Sequence, residues 1–230
     1  MSKGLRKIFS EVSSRYELIN HLLTFGGDII WRRKAARIAL LSGGKRWLDV
    51  CSGTGEMARN LILFSRSENE VVALDFCPPM LKKAVRKSGN WKLWAVIAEA
   101  NSLPFADDYF DGLTISFATR NITPRKGVLI NHLKEFWRVL KPGGCFINLE
   151  TSQPPSTYIR HIFHFYVRLA VRPVGFMLSG SKAGYGYLAS TIPKFYPAEE
   201  LASLLYQVGF RCVSYRRLFF GVSAIHKALK

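Results

Sequence analysis

At 230 residues the chain has room for one domain with a sizeable core, and a content of 48% hydrophobic and 13% aromatic residues excludes a disordered polypeptide. Its formal charge of +17 is unevenly spread: residues 1–50 carry ten Lys/Arg against four Asp/Glu, residues 51–154 thirteen against ten, and residues 155–230 ten against two. Basic flanks around a nearly balanced middle suit an anionic partner, a phospholipid surface or a nucleic acid, or else a basic surface with no specific partner.

The first residues, Met1–Val12, lack the apolar stretch of a signal peptide, and nowhere does an apolar run of about eighteen residues predict a membrane-spanning helix. Apolar side chains at Ile8, Val12, Tyr16, Ile19 and Leu23 predict a helix over 8–23. After Gly26–Gly27 a second helix is expected, capped by Asp28 and running through Ile30, Ala35, Ile38 and Leu41 to Gly43–Gly44. From Arg46 the pattern alternates, with strands at 46–50, 70–75, 92–97, 112–117 and 144–149 and helices near 56–65, 79–88 and 127–140. Pro142–Gly143–Gly144 reads as the turn from the last of these helices into its strand. Residues 155–192 break the rhythm. They mix apolar and aromatic side chains, among them Phe163, Phe165 and Tyr166, with Arg160, Arg168 and Arg172, as suits a helix packed on the sheet, covering an apolar pocket or touching a membrane interface. A helix at 198–208 and strands at 211–219 and 221–227 complete the chain. Five αβ units and a final hairpin predict a single α/β domain over 1–230, a three-layer sandwich with a mostly parallel, doubly wound sheet and a C-terminal antiparallel hairpin at one edge.

The chemistry concentrates at the predicted strand ends. The run Trp47-Leu-Asp-Val-Cys-Ser-Gly-Thr-Gly55 reads as a buried strand and a glycine turn opening a helix, followed by Val71-Val-Ala-Leu-Asp75, a second strand ending in a carboxylate. That layout puts a nucleoside-containing cofactor at the carboxyl edge of a parallel sheet, with Gly53, Thr54 and Gly55 in the turn and Asp75 accepting both ribose hydroxyl hydrogens. The spacing is not Gly-x-Gly-x-x-Gly, no basic residue waits in the turn for a pyrophosphate, and Glu56 opens the helix. A carboxylate there repels phosphate and tolerates a cation, which tips the balance from a dinucleotide to S-adenosylmethionine, with S-adenosylhomocysteine as product. Asp49 is expected to face the charged end of the cofactor or to bind turn groups. Phe76 and Met80 are expected against the adenine, and Glu99, with Asn101 and Ser102 nearby, to accept from its amino group.

After the fourth predicted strand come Ser116-Phe-Ala-Thr-Arg120-Asn121, where a parallel sheet presents residues to a substrate. Arg120 offers several donors to a developing oxyanion, Asn121 both donates and accepts, and the plainer role for Arg120 is an ion pair with Glu150 or Asp49. The cysteines, Cys51, Cys77, Cys145 and Cys212, form no Cys-x-x-Cys pair and read as small buried apolar residues in a reducing compartment; no metal site is expected, His161 and His164 included. Neither an Asn-Pro-Pro-Tyr or Asp-Pro-Pro-Tyr run, the arrangement expected for methylating an exocyclic base nitrogen, nor a placed nucleophilic cysteine supports nucleic acid as substrate.

These residues resemble those of the demethylmenaquinone and 2-polyprenyl-benzoquinol C-methyltransferases. The likeness is carried by Arg15-Tyr-Glu-Leu-Ile-Asn20, Leu23-Thr-Phe-Gly26 and Trp31-Arg32, then by Leu48–Gly55, Ala73-Leu-Asp75 and Leu103–Asp111. It continues through Phe117-Ala-Thr-Arg-Asn121, Phe136–Gly144, Asn148-Leu-Glu150 and Tyr185-Gly-Tyr-Leu-Ala-Ser190. Where that family usually has Phe-Gly-Leu-Arg-Asn, this chain has Ala118-Thr119, which alters the wall beside the substrate. The resemblance implies a class I, Rossmann-like fold and C-methylation of a prenylated hydroquinone, demethylmenaquinol to menaquinol in the first instance. Methylation of another lipid, phenol or amine is the alternative, and a non-catalytic cofactor-binding protein a more distant one. It further implies that Arg120 and Asn121 bind and activate the quinol hydroxyl, that Tyr16 and Asn20 belong to a helical lid over 1–43, and that Tyr185 and Tyr187 line the quinol pocket within a covering segment over 155–192. A prenyl tail implies a cytoplasmic protein held peripherally at the anionic inner face of the cell membrane; a homodimer stays open.

Overall fold

The computed structural model describes residues 16–65, 68–89, 91–123, 126–171 and 189–230, with the isolated positions 173, 177 and 186. The chain opens with two helices, α1 (Tyr16–Leu23) and α2 (Gly27–Leu40). It then alternates through β1 (Arg46–Val50), α3 (Glu56–Phe64), β2 (Glu70–Asp75), α4 (Pro78–Ser88), β3 (Leu93–Ile97) and β4 (Phe110–Ser116). Next come α5 (Lys126–Val139), β5 (Leu140–Thr151), α6 (Thr157–Tyr166), α7 (Ala198–Val208), β6 (Arg211–Leu218) and β7 (Ser223–Leu229).

The seven strands lie in the order β3-β2-β1-β4-β5-β7-β6. Pairing is parallel from β3 across to β5, and β7 inserts antiparallel between β5 and β6. Near-continuous burial of Trp47–Val50 and Val71–Asp75 reflects a sheet covered on both faces. One face carries α2, α3 and α4, which bury Ala35, Met57, Leu61 and Leu81 against Trp47 and Ile147; the other carries α5 and α7, with Phe136, Leu201 and Leu205 against Phe146. The strand order reverses between β1 and β4, and the crevice at their carboxyl ends is where an open α/β sheet receives a ligand.

Five expectations are corrected. No helix separates β3 from β4: residues 98–109 run without one, because Asn101-Ser102, Pro104 and Asp107-Asp108 interrupt any helical period, and Trp94 and Ile97 stay exposed. Asp28 does not cap α2. Left-handed Gly26 (φ 74°) opens that helix, and Asp28 is a buried first-turn residue, accepting from the Thr24 hydroxyl at 2.8 Å and from Arg32 at 2.6 Å. Ile30 and Leu41 are exposed, since α2 turns Arg32, Ala35, Ala36 and Ala39 inward. Pro142–Gly144 falls inside β5, where pairing with β4 jumps from Phe110↔Leu140 to Gly112↔Cys145, so the turn is absorbed as a bulge. Of the cysteines, Cys77 and Cys145 are buried, Cys51 is half-buried and Cys212 is exposed. The part of the predicted first helix that precedes Tyr16 lies outside the described residues.

Candidate active site

The turn after β1 is tied down by two carboxylates. Asp49, fully buried, accepts from the Ser52 hydroxyl at 2.6 Å and the Thr114 hydroxyl at 2.8 Å, which binds the turn to β4. Asp75 accepts from the backbone N–H of Gly53 at 2.8 Å through one oxygen and from that of Cys77 at 2.9 Å through the other. Burial pushes both carboxyls up to about 6, against the opposing pull of these hydrogen bonds. Asp75 borders the crevice, whereas Asp49 stands behind the turn and acts through it. Gly53 sits at φ 58° with nothing within 4 Å of where a Cβ would be, so the backbone there is open to a ligand. At Gly55, φ 82°, an added Cβ would meet the Ala84 Cβ at 2.7 Å, so this glycine packs α3 on α4.

Thr54, Phe76, Met80, Ser116 and Asn121 share the crevice wall with Asp75. Phe76 and Met80 are buried and form a small apolar cluster with Cys77. Asn121 is buried with its Oδ1 lacking a protein partner, so a donor arriving in the crevice would satisfy it. Glu99, half-buried past β3, and the exposed Asn101 and Ser102 are not in this wall. An open glycine, a strand-end carboxylate, an apolar shelf and an unpaired amide oxygen fit a nucleoside-bearing ligand, while Glu56 in the wall is already paired with Arg32.

Beside the crevice lies a second cavity of about 530 Å³, walled almost entirely by apolar side chains. Arg120 reaches this cavity, while Asn121 faces the crevice: neighbours in sequence, they serve different spaces. The Arg120 guanidinium donates to Glu150 Oε1 at 3.1 Å and Thr151 Oγ1 at 2.7 Å, and its backbone N–H donates to Glu150 Oε2 at 3.1 Å. Its Nε is buried without a protein partner. The ion pair with Glu150 therefore exists, and it aims the guanidinium at the cavity. Asn20, on α1, also lines the cavity. The side chains of Tyr16, Tyr185 and Tyr187 lie outside the described residues.

Two residues common to both walls went unread as site residues. Arg32 and Phe117 border both spaces, with the Arg32 guanidinium 4.9 Å from the centre of the Phe117 ring. Phe117 adopts φ 54° and donates its N–H to Leu149 O at 2.7 Å, which turns the chain sharply at the end of β4. Arg32 also pairs with Glu56 at 3.2 Å, and His21 bridges Glu56 at 3.3 Å and Asp28 at 2.9 Å, linking the two N-terminal helices to the glycine turn. Trp31-Arg32 and Phe117 belonged to the quoted motifs, and that was the signal available. Glu17, His21 and Glu56 bring possible metal-ligand atoms within 4.8 Å of one another, but Lys87 bonds Glu17 and Arg32 pairs with Glu56, so cations of the protein already meet that charge.

Comparison with known proteins gives this geometry relatives. The profile described as the ubiE/COQ5 methyltransferase family matches residues 1–230. A demethylmenaquinone methyltransferase of Thermus thermophilus is 40% identical over 222 residues, covering 95% of this chain and 98% of its own. The ubiquinone/menaquinone biosynthesis C-methyltransferase UbiE of Desulfotalea psychrophila is 34% identical over 227 residues, 99% of this chain and 90% of its own. Among solved structures, a SAM-dependent methyltransferase from Thermotoga maritima superposes with a TM-score of 0.69 at 16% identity, covering 97% of this chain and 98% of that one, which shows a shared fold.

Proposed function

This chain belongs to the ubiE/COQ5 methyltransferase family and is an S-adenosylmethionine-dependent methyltransferase, and we propose that it methylates a ring carbon of a prenylated hydroquinone, demethylmenaquinol to menaquinol. The observation that carries this reading is the apolar cavity of about 530 Å³ beside the cofactor crevice, with two buried guanidiniums in its wall, Arg32 at the border with the crevice and Arg120 within the cavity. A prenylated ring needs such a space, and its reacting oxygen needs such a donor.

When bound, S-adenosylmethionine supplies a methyl group made electrophilic by its sulfonium. Asp75 would hold its ribose hydroxyls and Phe76 and Met80 would pack against its adenine, while Thr54 and Ser116 complete the polar part of the wall. Asn121 accepts a hydrogen bond from the crevice side with its unpaired Oδ1. In the neighbouring cavity Arg120 donates to the quinol oxygen and stabilises its phenolate-like form, which raises electron density at the adjacent ring carbon. An arginine stays protonated, so the proton passes to another base, and Arg120 acts by charge and direction. Glu150 and Thr151 position it. Asn20 on α1 is part of a lid over the reacting centre, and apolar walls keep water from a step in which charge is neutralised.

No helix among the described residues is long and apolar enough to cross a membrane. The protein works at the surface of an anionic membrane, where the prenyl tail dissolves, and the ten Lys/Arg against two Asp/Glu in residues 155–230 draw it there. Incubation with demethylmenaquinol and methyl-labelled cofactor tests the reaction: mass spectrometry should locate the new methyl on the ring carbon. Label on oxygen or nitrogen, or none on the quinol, would refute it.

A further inference from the structure

We infer that the rim of the apolar cavity is a bilayer-inserting mouth, formed by aromatic side chains that three separate segments hold outward, so that the cavity opens into lipid. The inference takes its purpose from the prenylated-substrate reading above, but its test does not depend on that reading.

Seven described residues other than glycine have positive φ, and three of them are exposed phenylalanines at this rim. Phe25 (φ 52°, 85% exposed) lies within the turn between α1 and α2; Phe219 (φ 42°, 67% exposed) and Phe220 (φ 55°, 70% exposed) form the tip of the β6–β7 hairpin. A bulky side chain disfavours the left-handed region, and outward-facing rings gain no burial in return within the protein. The positions are nevertheless anchored. The Phe25 ring lies 6.2 Å from that of Tyr166, whose hydroxyl donates to Leu23 O at 2.7 Å, and Phe219 lies 6.5 Å from Trp31. The third segment is α6 with the turn that follows it, where Tyr158, Phe165 and Leu169 are exposed. Phe163, which the sequence offered as an inserting residue beside Phe165, is half-buried and lines the cavity instead.

Exposed aromatic side chains gathered at the opening of an apolar cavity mark an interaction site. Its surroundings favour a lipid surface. Arg160 and Arg168 lie on the α6 segment and Arg216 and Arg217 on β6, while the two acids of residues 155–230 are Glu199 and Glu200, of which Glu199 already pairs with Arg217. Aromatic rings at the headgroup level with basic side chains around them match an anionic bilayer in both polarity and charge.

The test is co-sedimentation with phosphatidylcholine vesicles, with and without phosphatidylglycerol, at low salt and at about 0.5 M salt, where surface charges are screened. The full chain should bind the anionic vesicles and keep a salt-resistant fraction. Phe219→Ser combined with Phe220→Ser should weaken that salt-resistant partition by at least about tenfold, since two inserted rings are lost. Phe165→Ser combined with Leu169→Ser, both outside the cavity wall, should weaken it in the same direction. Calorimetric S-adenosylhomocysteine affinity within about twofold of the parent shows that each variant is folded. Wild-type binding to neither vesicle, or variants that bind as the parent does, would overturn the inference. So would a wild-type dimer that dissociates in these variants while vesicle binding persists, since the rim would then join two protomers. No quinol enters this assay, so a failed mouth and a failed quinol reading are told apart by the ring-methylation experiment.

Discussion

The cofactor crevice and the apolar cavity share a wall and are built in opposite ways. The crevice gathers the loops that follow β1, β2 and β4, and its central bond, Gly53 N–H to Asp75, joins two turns 22 residues apart. The cavity gathers Asn20–Arg32, Phe117–Arg120, Thr151–Val171, Ile192 and the hairpin tip at 219–222, pieces from nearly the whole chain. One space mixes polar and apolar walls, with the Asp75 carboxyl pushed up to about 6 by burial; the other holds Arg120 as a buried cation amid mostly apolar walls. On the proposed reading the contrast separates two tasks, holding a charged cofactor and excluding water from a greasy ring. Phe117 and Arg32 stand at the border between them.

If the tasks are separate, a change on one side should leave the other nearly untouched. The largest effect is expected from Arg120→Ala, which should lower kcat/KM for the quinol by roughly 10²–10³, the scale of one lost oxyanion donor. Cofactor affinity by calorimetry should stay within about threefold, because Arg120 borders the cavity alone. This variant leaves Glu150 buried without its cation, so a thermal melt accompanies the assay, and Arg120→Lys should recover part of the turnover if charge is what matters. Normal turnover would reduce Arg120 to a structural partner of Glu150.

On the other side, Asp75→Ala should weaken S-adenosylmethionine binding by at least about tenfold, as losing hydrogen bonds to a charged acceptor costs on the order of 1.5–3 kcal/mol. Asp75 also receives two backbone N–H groups, so Asp75→Asn, which keeps the shape, separates ribose binding from collapse of the turn. An unchanged dissociation constant in both variants would remove Asp75 from the cofactor site.

The smallest effect is a pH dependence confined to the crevice. With the Asp75 carboxyl at about 6, lowering the pH from 8 to about 5.5 leaves roughly a quarter of it ionised, so S-adenosylhomocysteine affinity should fall about fourfold. The stability of the unliganded protein should respond in the opposite sense. Asp49 and Asp75 both have folded values raised above the unfolded one; their contribution is fully present below the unfolded value and is lost as pH rises through about 6. Titration calorimetry and denaturant melts across this range check the two slopes, and Asp75→Asn should flatten the first.

The two regions also differed in how far they could be read in advance. The glycine turn and Asp75 were legible because a strand, a tight turn and a helix are local, and the spacing of Gly53, Gly55 and Asp75 carries the geometry with it. Arg120 and Asn121 were found as a pair, yet their divergence was not, because adjacent residues in an irregular loop point wherever its backbone turns, and that turn depends on Phe117 bonding Leu149 across β5. Asp28 was taken for a cap because an acid at a helix start suits one; its actual partners, Arg32, Thr24 and His21, require the packing of α1 on α2.

By itself the sequence determined the alternation of strands and helices over most of the chain, the doubly wound sheet with its antiparallel hairpin, the glycine turn after β1 and the identity of the family. Those follow from hydrophobic period and short motifs, which act over neighbouring residues. Only the tertiary structure decided which side chains share the apolar cavity, that Arg32 and Phe117 border both spaces, and that Phe25, Phe219 and Phe220 face outward at one rim. Apolar side chains carry no label for the space they line: burial is non-directional, so whether a phenylalanine fills a core, walls a cavity or rings its mouth is settled by contacts between segments far apart in the chain.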